Sequence, residues 1–401
     1  MNSSATVLAD ENFPVLGPRP WRIGNTFELL INGNQFFPRL LSLIETSRTC
    51  VDIEMYLFRS GRLATKLIDA LLRARQRDVR VRLLLDHVGS RELARKDRQK
   101  LRLAGVEVRF YNRVKTHKLF RNLARDHRKI ICIDAEVSLV GGAGITDDFD
   151  PAIKGKHAWR EVMLEVRGPV VVDWETLFEN TWSDFKGPKN FGHWRERIYR
   201  FRHATLNSVR LPTQAPQARA NGSRGLGSEQ IKKSLIKEIK EAEYYIWLST
   251  AYFYPSWKLR RELAKAARRG VDVRILVPGP KTDHPSIRYA GQNYYSMLLN
   301  HQVRIYEYQP SFMHMKVANV DDWCTIGSCN FDRWNLRWNL EANQEILDPR
   351  FSEKIRRMFV DDFFESKLID PNTWKKRPYF ERVKQAFWYR VGLLIDRWIN
   401  Q

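Results

Sequence analysis

"KLIDALLRARQRDVRVRLLLD", residues 66–86, reads as an amphipathic helix, a basic turn and an alternating-to-apolar strand. The same reading returns in "KLRRELAKAARRGVDVRILVP", residues 258–278, where Gly270 supplies the helix stop. Upstream of each copy lies an apolar strand reaching into tyrosine, "VDIEMYLF" (51–58) and "YYIWLSTAYF" (244–253). Downstream come two further strands, "AGVEVRFYNR" (104–113) and "HQVRIYEYQP" (301–310). Strands and helices that alternate in this way, twice over, predict an α/β layered domain made in two copies.

The stretch between the copies, "LPTQAPQARANGSRGLGSEQ" (211–230), is rich in Pro, Gly, Ala and Ser and reads as a linker. The expected organisation is an N-terminal arm over 1–21 and a first domain over 22–206. A linker and entry to the second repeat follow over 207–230, then a second domain over 231–370 and a C-terminal extension over 371–401.

With 401 residues the chain is long enough for two domains, and at 43% hydrophobic it can bury real cores. A net charge of +22 favours a polyanionic partner: nucleic acid, an anionic membrane face or a phosphate substrate. Cys50, Cys132, Cys324 and Cys329 form no C-x-x-C pair and assemble no zinc set, so reduced thiols in a cytoplasmic protein are expected. The N-terminus lacks the basic and apolar regions of a signal peptide. No apolar run approaches the roughly 18 to 20 residues of a spanning helix, so any membrane work is expected at the surface.

After the third matching strand each half delivers one polar pattern. The first copy is His127, Lys129 and Asp134, followed by Gly141-Gly142; the second is His314, Lys316 and Asp321, followed by Gly327-Ser328-Cys329-Asn330. Residues i and i+2 of a strand share a face, so each histidine is expected to point with its lysine. One such pair is commonly an exposed strand edge. Two at matching places in an internal repeat, each before a glycine turn, point to a joint site formed by a pseudo-twofold pairing of the halves.

Two imidazoles and two ammonium groups around one point suit a phosphodiester. The lysines offset charge on the non-bridging oxygens, more so as it builds in the transition state. One neutral imidazole can attack phosphorus, and the other, protonated, can give its proton to the leaving alkoxide. Such chemistry needs no metal and no cofactor if the lysines supply the positive charge. Asp134 and Asp321 fall on the opposite parity of an ideal strand, which gives them a structural role at the strand end.

These motifs resemble the phospholipase D superfamily, whose signature is H-x-K-x(4)-D twice per active site. The likeness spans roughly residues 22 to 370 and is greatest to bacterial cardiolipin synthases without N-terminal transmembrane helices. Local matches include "VRLLLDHVGS" (81–90), "AYFYP" (251–255), "AARRGVDVRIL" (266–276) and "NLEAN" (339–343).

The resemblance implies two α/β/α layered domains related by a pseudo-twofold, with one active site at their interface. It also implies His127 as nucleophile and His314 as acid–base partner; the residues themselves leave the reverse open. Lys129, Lys316 and Asn330 would hold the phosphate, with Ser328 in support. A downstream carboxylate backs each family histidine, and the matching positions are Glu161 and Glu341. Two departures stand out. Gly144 occupies the place of an expected asparagine, which leaves a donor to come from elsewhere, such as Thr146. Five residues, against a more common six, separate Asp321 from Gly327, which predicts a tighter hairpin.

The implied activity is a phosphatidyltransferase making cardiolipin from phosphatidylglycerol and a lipid hydroxyl through a phosphatidyl-histidine. Phospholipase D hydrolysis and metal-independent nuclease action are the alternatives. In the tail, Phe380, Val383, Phe387, Val391, Leu394 and Trp398 recur at three- and four-residue spacing, with Arg382, Lys384, Arg390 and Arg397 on other faces. That pattern fits a helix lying in an anionic membrane interface, or one packed on the protein's own core. The basic, aromatic-bearing stretches 116–128 and 185–203 suit lipid headgroups or a nucleic-acid backbone equally. The expected location is peripheral, on the cytoplasmic side of the cell (inner) membrane.

Overall fold

A computed structural model describes residues 19–114, 122, 124–183, 216–222, 229–331 and 339–399, with residues 229 and 395–399 described by their backbone. Most of the two basic stretches, much of the linker, most of the N-terminal arm and the Trp398 side chain lie outside the described residues.

The first half contributes β1 (Arg22–Ile23), β2 (Thr26–Ile31), β3 (Cys50–Met55), β4 (Arg80–Asp86), β5 (Glu107–Tyr111), β6 (Lys129–Ile133), β7 (Val137–Gly141) and β8 (Val162–Arg167). The second contributes β9 (Gln217–Gly222), β10 (Tyr245–Ser249), β11 (Asp272–Pro278), β12 (Arg304–Tyr308), β13 (Val317–Val320), β14 (Trp323–Gly327), β15 (Ala342–Leu347) and β16 (Ser366–Leu368). Seven strands form one sheet in the order β2-β8-β7-β6-β3-β4-β5; nine form the other in the order β1-β9-β15-β14-β13-β10-β11-β12-β16.

The repeat is complete at the level of pairing. β3, β4 and β5 are parallel, as are β10, β11 and β12. β3 and β10 then pair antiparallel with β6 and β13, which begin a meander through β7–β8 and β14–β15. The helices Arg62–Gln76 and Trp257–Arg268 make the matching parallel crossovers. Each exits through a left-handed residue, Asp78 in one half and Gly270 in the other. The β6–β7 turn holds three residues and the β13–β14 turn two, the tighter hairpin expected of the second copy.

Two boundaries differ from the expected ones. β9 lies inside the stretch read as linker, and it pairs with β15 as β2 pairs with β8. It is therefore the first strand of the second repeat. β1, expected in the first domain, pairs with β9 and so belongs to the second sheet.

Each sheet buries one face under its own helices. In the first, Val51, Ile53 and Met55 of β3 meet Leu67 and Leu71; in the second, Ile246 and Leu248 meet Leu263 and Ala266. The opposite faces share a third core. There Ile130, Val140, Met313, Met315 and Val317 pack with Trp174 from the helix Val171–Ser183 and Phe359 from the helix Pro349–Phe364. Alternation along β3 turns Asp52 and Glu54 toward this layer, where Arg82 and Arg128 neutralise them at 2.7 and 2.6 Å. The shared core fixes how the two halves face each other.

Candidate active site

The two motifs meet across that layer. His127 and His314 precede their strands rather than lying inside them: Lys129 opens β6, and Lys316 comes just before β13. A strand face therefore does not aim the imidazoles, as the spacing had suggested. Backbone bonds between the halves aim them. His127 donates its N–H to the carbonyl of Leu340 at 3.0 Å, and His314 donates to that of Arg160 at 2.8 Å. Leu340 and Arg160 each immediately precede a glutamate, so each histidine is set beside the carboxylate of the opposite half.

The carboxylates are consequently crossed. His127 Nδ1 lies 3.0 Å from Glu341, and His314 Nδ1 lies 2.6 Å from Glu161. For His314 the partner is thus upstream in the chain, against the downstream pairing expected. A carboxylate at Nδ1 holds the proton there and leaves Nε2 as the reacting nitrogen. Both glutamates are fully buried. Gly142 lies against Glu161, and a Cβ on it would stand 2.2 Å from a carboxylate oxygen. Its counterpart, Ser328, instead donates its hydroxyl to Glu341 at 2.5 Å.

The lysines are buried beside their histidines. Lys129 Nζ donates to the His127 carbonyl at 2.6 Å and stands over the Tyr56 ring. Lys316 Nζ donates to the His314 carbonyl and lies 2.8 and 3.0 Å from that residue's ring nitrogens, with Glu161 at 3.6 Å. Asn330 is fully buried, and neither its amide oxygen nor its amide nitrogen has a protein partner among the described residues. The first half has no equivalent. At Gly144 a Cβ would meet Leu57 at 2.9 Å, and the Thr146 hydroxyl is occupied by Asp148 at 3.1 Å.

Asp134 and Asp321 sit at the far ends of β6 and β13, away from the imidazoles. Asp134 accepts from the backbone N–H groups of Arg48, Thr49 and Cys50, and Asp321 from those of Glu243, Tyr244 and Tyr245. Each ties its hairpin to the start of the central parallel strand. The pattern of motifs gave no hint of the aromatic wall: Phe149, Trp159 and Phe312 surround His314 at 5.6 Å, and Tyr56 meets His127 at 4.8 Å. The one signal was position, since Trp159 and Phe312 each lie two residues before a site residue.

Burial dominates the electrostatics. It pulls His314 well below its ordinary value, and Lys316, Lys129 and His127 push the same way. His127 is lowered by burial and by Lys129, while Glu341 opposes. Burial also brings Lys129 down to about 7 and raises Glu161 to about 7. Lys316 is lowered for the same first reason. Without an anion between them, the two imidazoles and the two lysines hold their protons weakly, whereas Glu161 keeps its own more tightly than an ordinary carboxyl.

The family model described as "Cardiolipin synthase, PLD-like domain" matches residues 40–182 and 235–363, one segment for each half. The chain is 32% identical to cardiolipin synthase B of Salmonella typhimurium, over 91% of this chain and 87% of the relative. It is 30% identical to cardiolipin synthase 1 of Bacillus anthracis, over 98% and 77%. The chain belongs to the cardiolipin synthase family. Among solved structures, the phosphatidylserine synthase of Haemophilus influenzae superposes with a TM-score of 0.74, covering 94% of this chain and 96% of that one. At 13% identity that likeness speaks for the fold, the two-domain phospholipase D-like architecture. The crossed His–Glu pairs bring the motifs of the two repeats of this cardiolipin synthase family member together.

Proposed function

We propose that the chain is a phosphatidyltransferase that makes cardiolipin from phosphatidylglycerol. The observation that carries this reading is the pair of imidazoles, each held at Nδ1 by the opposite half's carboxylate, with two buried lysines beside them. A phosphodiester anion between the lysines restores their protonation and raises that of the imidazoles, so binding itself loads the acid. The unpartnered amide of Asn330 supplies a further contact to a phosphate oxygen.

In the first step Nε2 of His127 forms a bond to phosphorus as the bond to the glycerol oxygen breaks. His314 gives its Nε2 proton to the departing alkoxide. Its stronger conjugate acid suits this donation. In the second step the hydroxyl of another phosphatidylglycerol gives its proton to His314 and attacks phosphorus, and the P–N bond breaks. The products are glycerol and cardiolipin.

The C-terminal helix Tyr379–Ile399 supports work at a membrane surface. It docks on the helix Pro285–Gln292 through its polar and aromatic side: Gln385 donates to Gln292 at 3.2 Å, and Tyr389 meets Tyr294. The apolar stripe faces away, with Phe380, Phe387 and Leu394 exposed at 69%, 57% and 63%. Exposed Arg382 and Arg390 accompany it. An outward apolar stripe among arginines fits an anionic bilayer interface better than a protein core. Among the described residues no helix is long and apolar enough to cross a membrane. The four cysteines are buried and form no disulfide among the described residues, which suits the cytoplasmic face.

The test is incubation of the purified full chain with phosphatidylglycerol vesicles and resolution of products by mass. Cardiolipin and glycerol are expected. Phosphatidic acid as the sole lipid product makes the chain a hydrolase, and unchanged lipid with EDTA-resistant cleavage of nucleic acid makes it a nuclease. Acid quenching should trap a phosphatidyl adduct on His127; an adduct on His314 alone reverses the two roles.

A further inference from the structure

At the carboxyl end of β4 and β5 lies an open pocket of about 580 Å³, lined in part by His87, Arg95, Arg98, Arg102, Phe110 and Arg113. Arg95, Arg98 and Arg102 sit at i, i+3 and i+7 on the helix Arg95–Leu103, and Arg113 follows β5. None of these four arginines forms an ion pair among the described residues. Arg98 is fixed by the carbonyls of Ser90 and Leu93 and by the face of Phe110 at 5.0 Å. Arg95, Arg102 and Arg113 are exposed. The one acid in this stretch of helix, Asp97, is buried and accepts the Ser60 hydroxyl instead.

Four uncompensated guanidinium groups around one concavity repel one another and concentrate anions. His87 shares that potential: its Nδ1 is buried without a hydrogen-bond partner among the described residues. Burial first, then Arg113, Arg125 and Arg98, lower its proton affinity. Arginine is the side chain best matched to phosphate oxygens. Two of these arginines also have exposed apolar neighbours in the chain. Leu103 and Val114, next to Arg102 and Arg113, are exposed at 80% and 51%. A free anion has no use for exposed apolar neighbours, whereas a phospholipid presents acyl chains beside its phosphate.

The pocket and the active site share one edge of the sheet. Asp86, immediately before His87, accepts from the backbone N–H groups of Val88 and Gly89, and also from that of Asp126 at 3.1 Å. Asp126 immediately precedes His127. Lys129 pairs with Met55 at the carboxyl end of β3, the end of the parallel strands at which Asp86 closes β4.

We infer that this arginine pocket is a second phosphate site, holding the headgroup of the phospholipid whose hydroxyl resolves the phosphatidyl-histidine. The role of acceptor rests on the transferase reading above; the binding of a second phospholipid does not.

The test compares the full chain with its Arg95→Gln, Arg102→Gln, Arg113→Gln variant. All three side chains are exposed, so the variant should fold. On phosphatidylglycerol vesicles, cardiolipin formation should fall about tenfold or more while release of phosphatidic acid to water is unchanged. Equal loss of both products, or loss of neither, overturns the acceptor role. In a His127→Ala background, titration with dihexanoyl phosphatidylglycerol should show two sites, reduced to one by the arginine replacements. Unchanged stoichiometry overturns the pocket, as does a second site that takes inorganic phosphate but not the lipid. If the wild-type chain turns over no lipid, the transferase reading fails while the titration still reports on the pocket.

Discussion

The two halves of the site contain the same parts in different surroundings. His127 meets the edge of Tyr56, and its carboxylate is shared with the Ser328 hydroxyl. Lys129 reaches its carbonyl. His314 is enclosed by three aromatic rings and has Lys316 within 3.0 Å of both ring nitrogens. Both imidazoles fall below their ordinary value, His314 further. Duplication brings the two motifs together, and in the proposed reaction both reach one phosphorus. Burial and the landing point of each lysine then separate two like imidazoles in acid strength, as a reaction with one nucleophile and one acid requires.

The sharpest break between the halves is Gly142 against Ser328. Gly142→Ala drives a methyl group into Glu161 and displaces His314 from its partner. We expect a loss of turnover of about a hundredfold or more, the scale of an ångström's misplacement. Ser328→Gly removes one hydroxyl from Glu341 and leaves the His127 pair in place. Its expected cost is about tenfold, one hydrogen bond's worth. Steady-state cardiolipin formation checks both, with circular dichroism to confirm folding. Equal effects would show that the crossed carboxylates are interchangeable.

The second half also carries a helix, Tyr379–Ile399, with no counterpart among the described residues of the first. Phe380→Ser, Phe387→Ser and Leu394→Ser together should weaken binding to phosphatidylglycerol vesicles by about tenfold to a hundredfold, from lost apolar burial in the interface. The melting temperature should hold, because these side chains are exposed. Unfolding with vesicle binding intact would make the stripe part of a core.

The buried charges predict a bell-shaped dependence of kcat/KM on pH, with its maximum near 7. Glu161, raised to about 7, must lose its proton to support His314, which gives the rising limb. Lys129, lowered to about 7, loses its charge above that pH, which gives a falling limb of about tenfold per unit. Lys129→Met should lower activity throughout and make the alkaline limb shallower, leaving only the fall that comes from loss of the His314 proton. A profile flat to pH 9 would show that the ammonium does not act on the phosphate.

The fold was legible because helix and strand periodicity repeats at matching places, with polar punctuation of the same type. β9 was not, since "QARANG" has the composition of a linker. Its pairing with β15 and the Arg219–Glu345 ion pair, 126 residues apart, make it a strand. The reacting residue types were legible for the same reason as the fold. The crossed partners were not, since 153 and 214 residues separate each histidine from its glutamate. Nothing local records which half supplies which carboxylate. The aromatic wall carries no motif at all.

Asp134 and Asp321 give the finest comparison, because both motifs contain them and neither touches the site. Each adopts a left-handed φ, +55° and +47°, which aspartate and asparagine tolerate better than most residues. Each accepts three consecutive backbone N–H groups, and Asp134 also takes the Thr49 hydroxyl. Asp134→Asn keeps the backbone conformation and one oxygen but loses the charge and one acceptor, so it should cost about 1 to 2 kcal/mol of stability. The hydrogen bonds hold the folded carboxyl of Asp134 below its ordinary value, although burial opposes them. Its stabilisation is therefore full above the ordinary carboxylate range and is lost as pH falls through the folded value. Denaturant titrations of the wild type and Asp134→Asn should thus differ at pH 7 and converge toward pH 2, with kcat at 25 °C unchanged within twofold. A loss of kcat in the folded variant would place Asp134 in the chemistry, and a gap that persists in acid would separate its role from its charge.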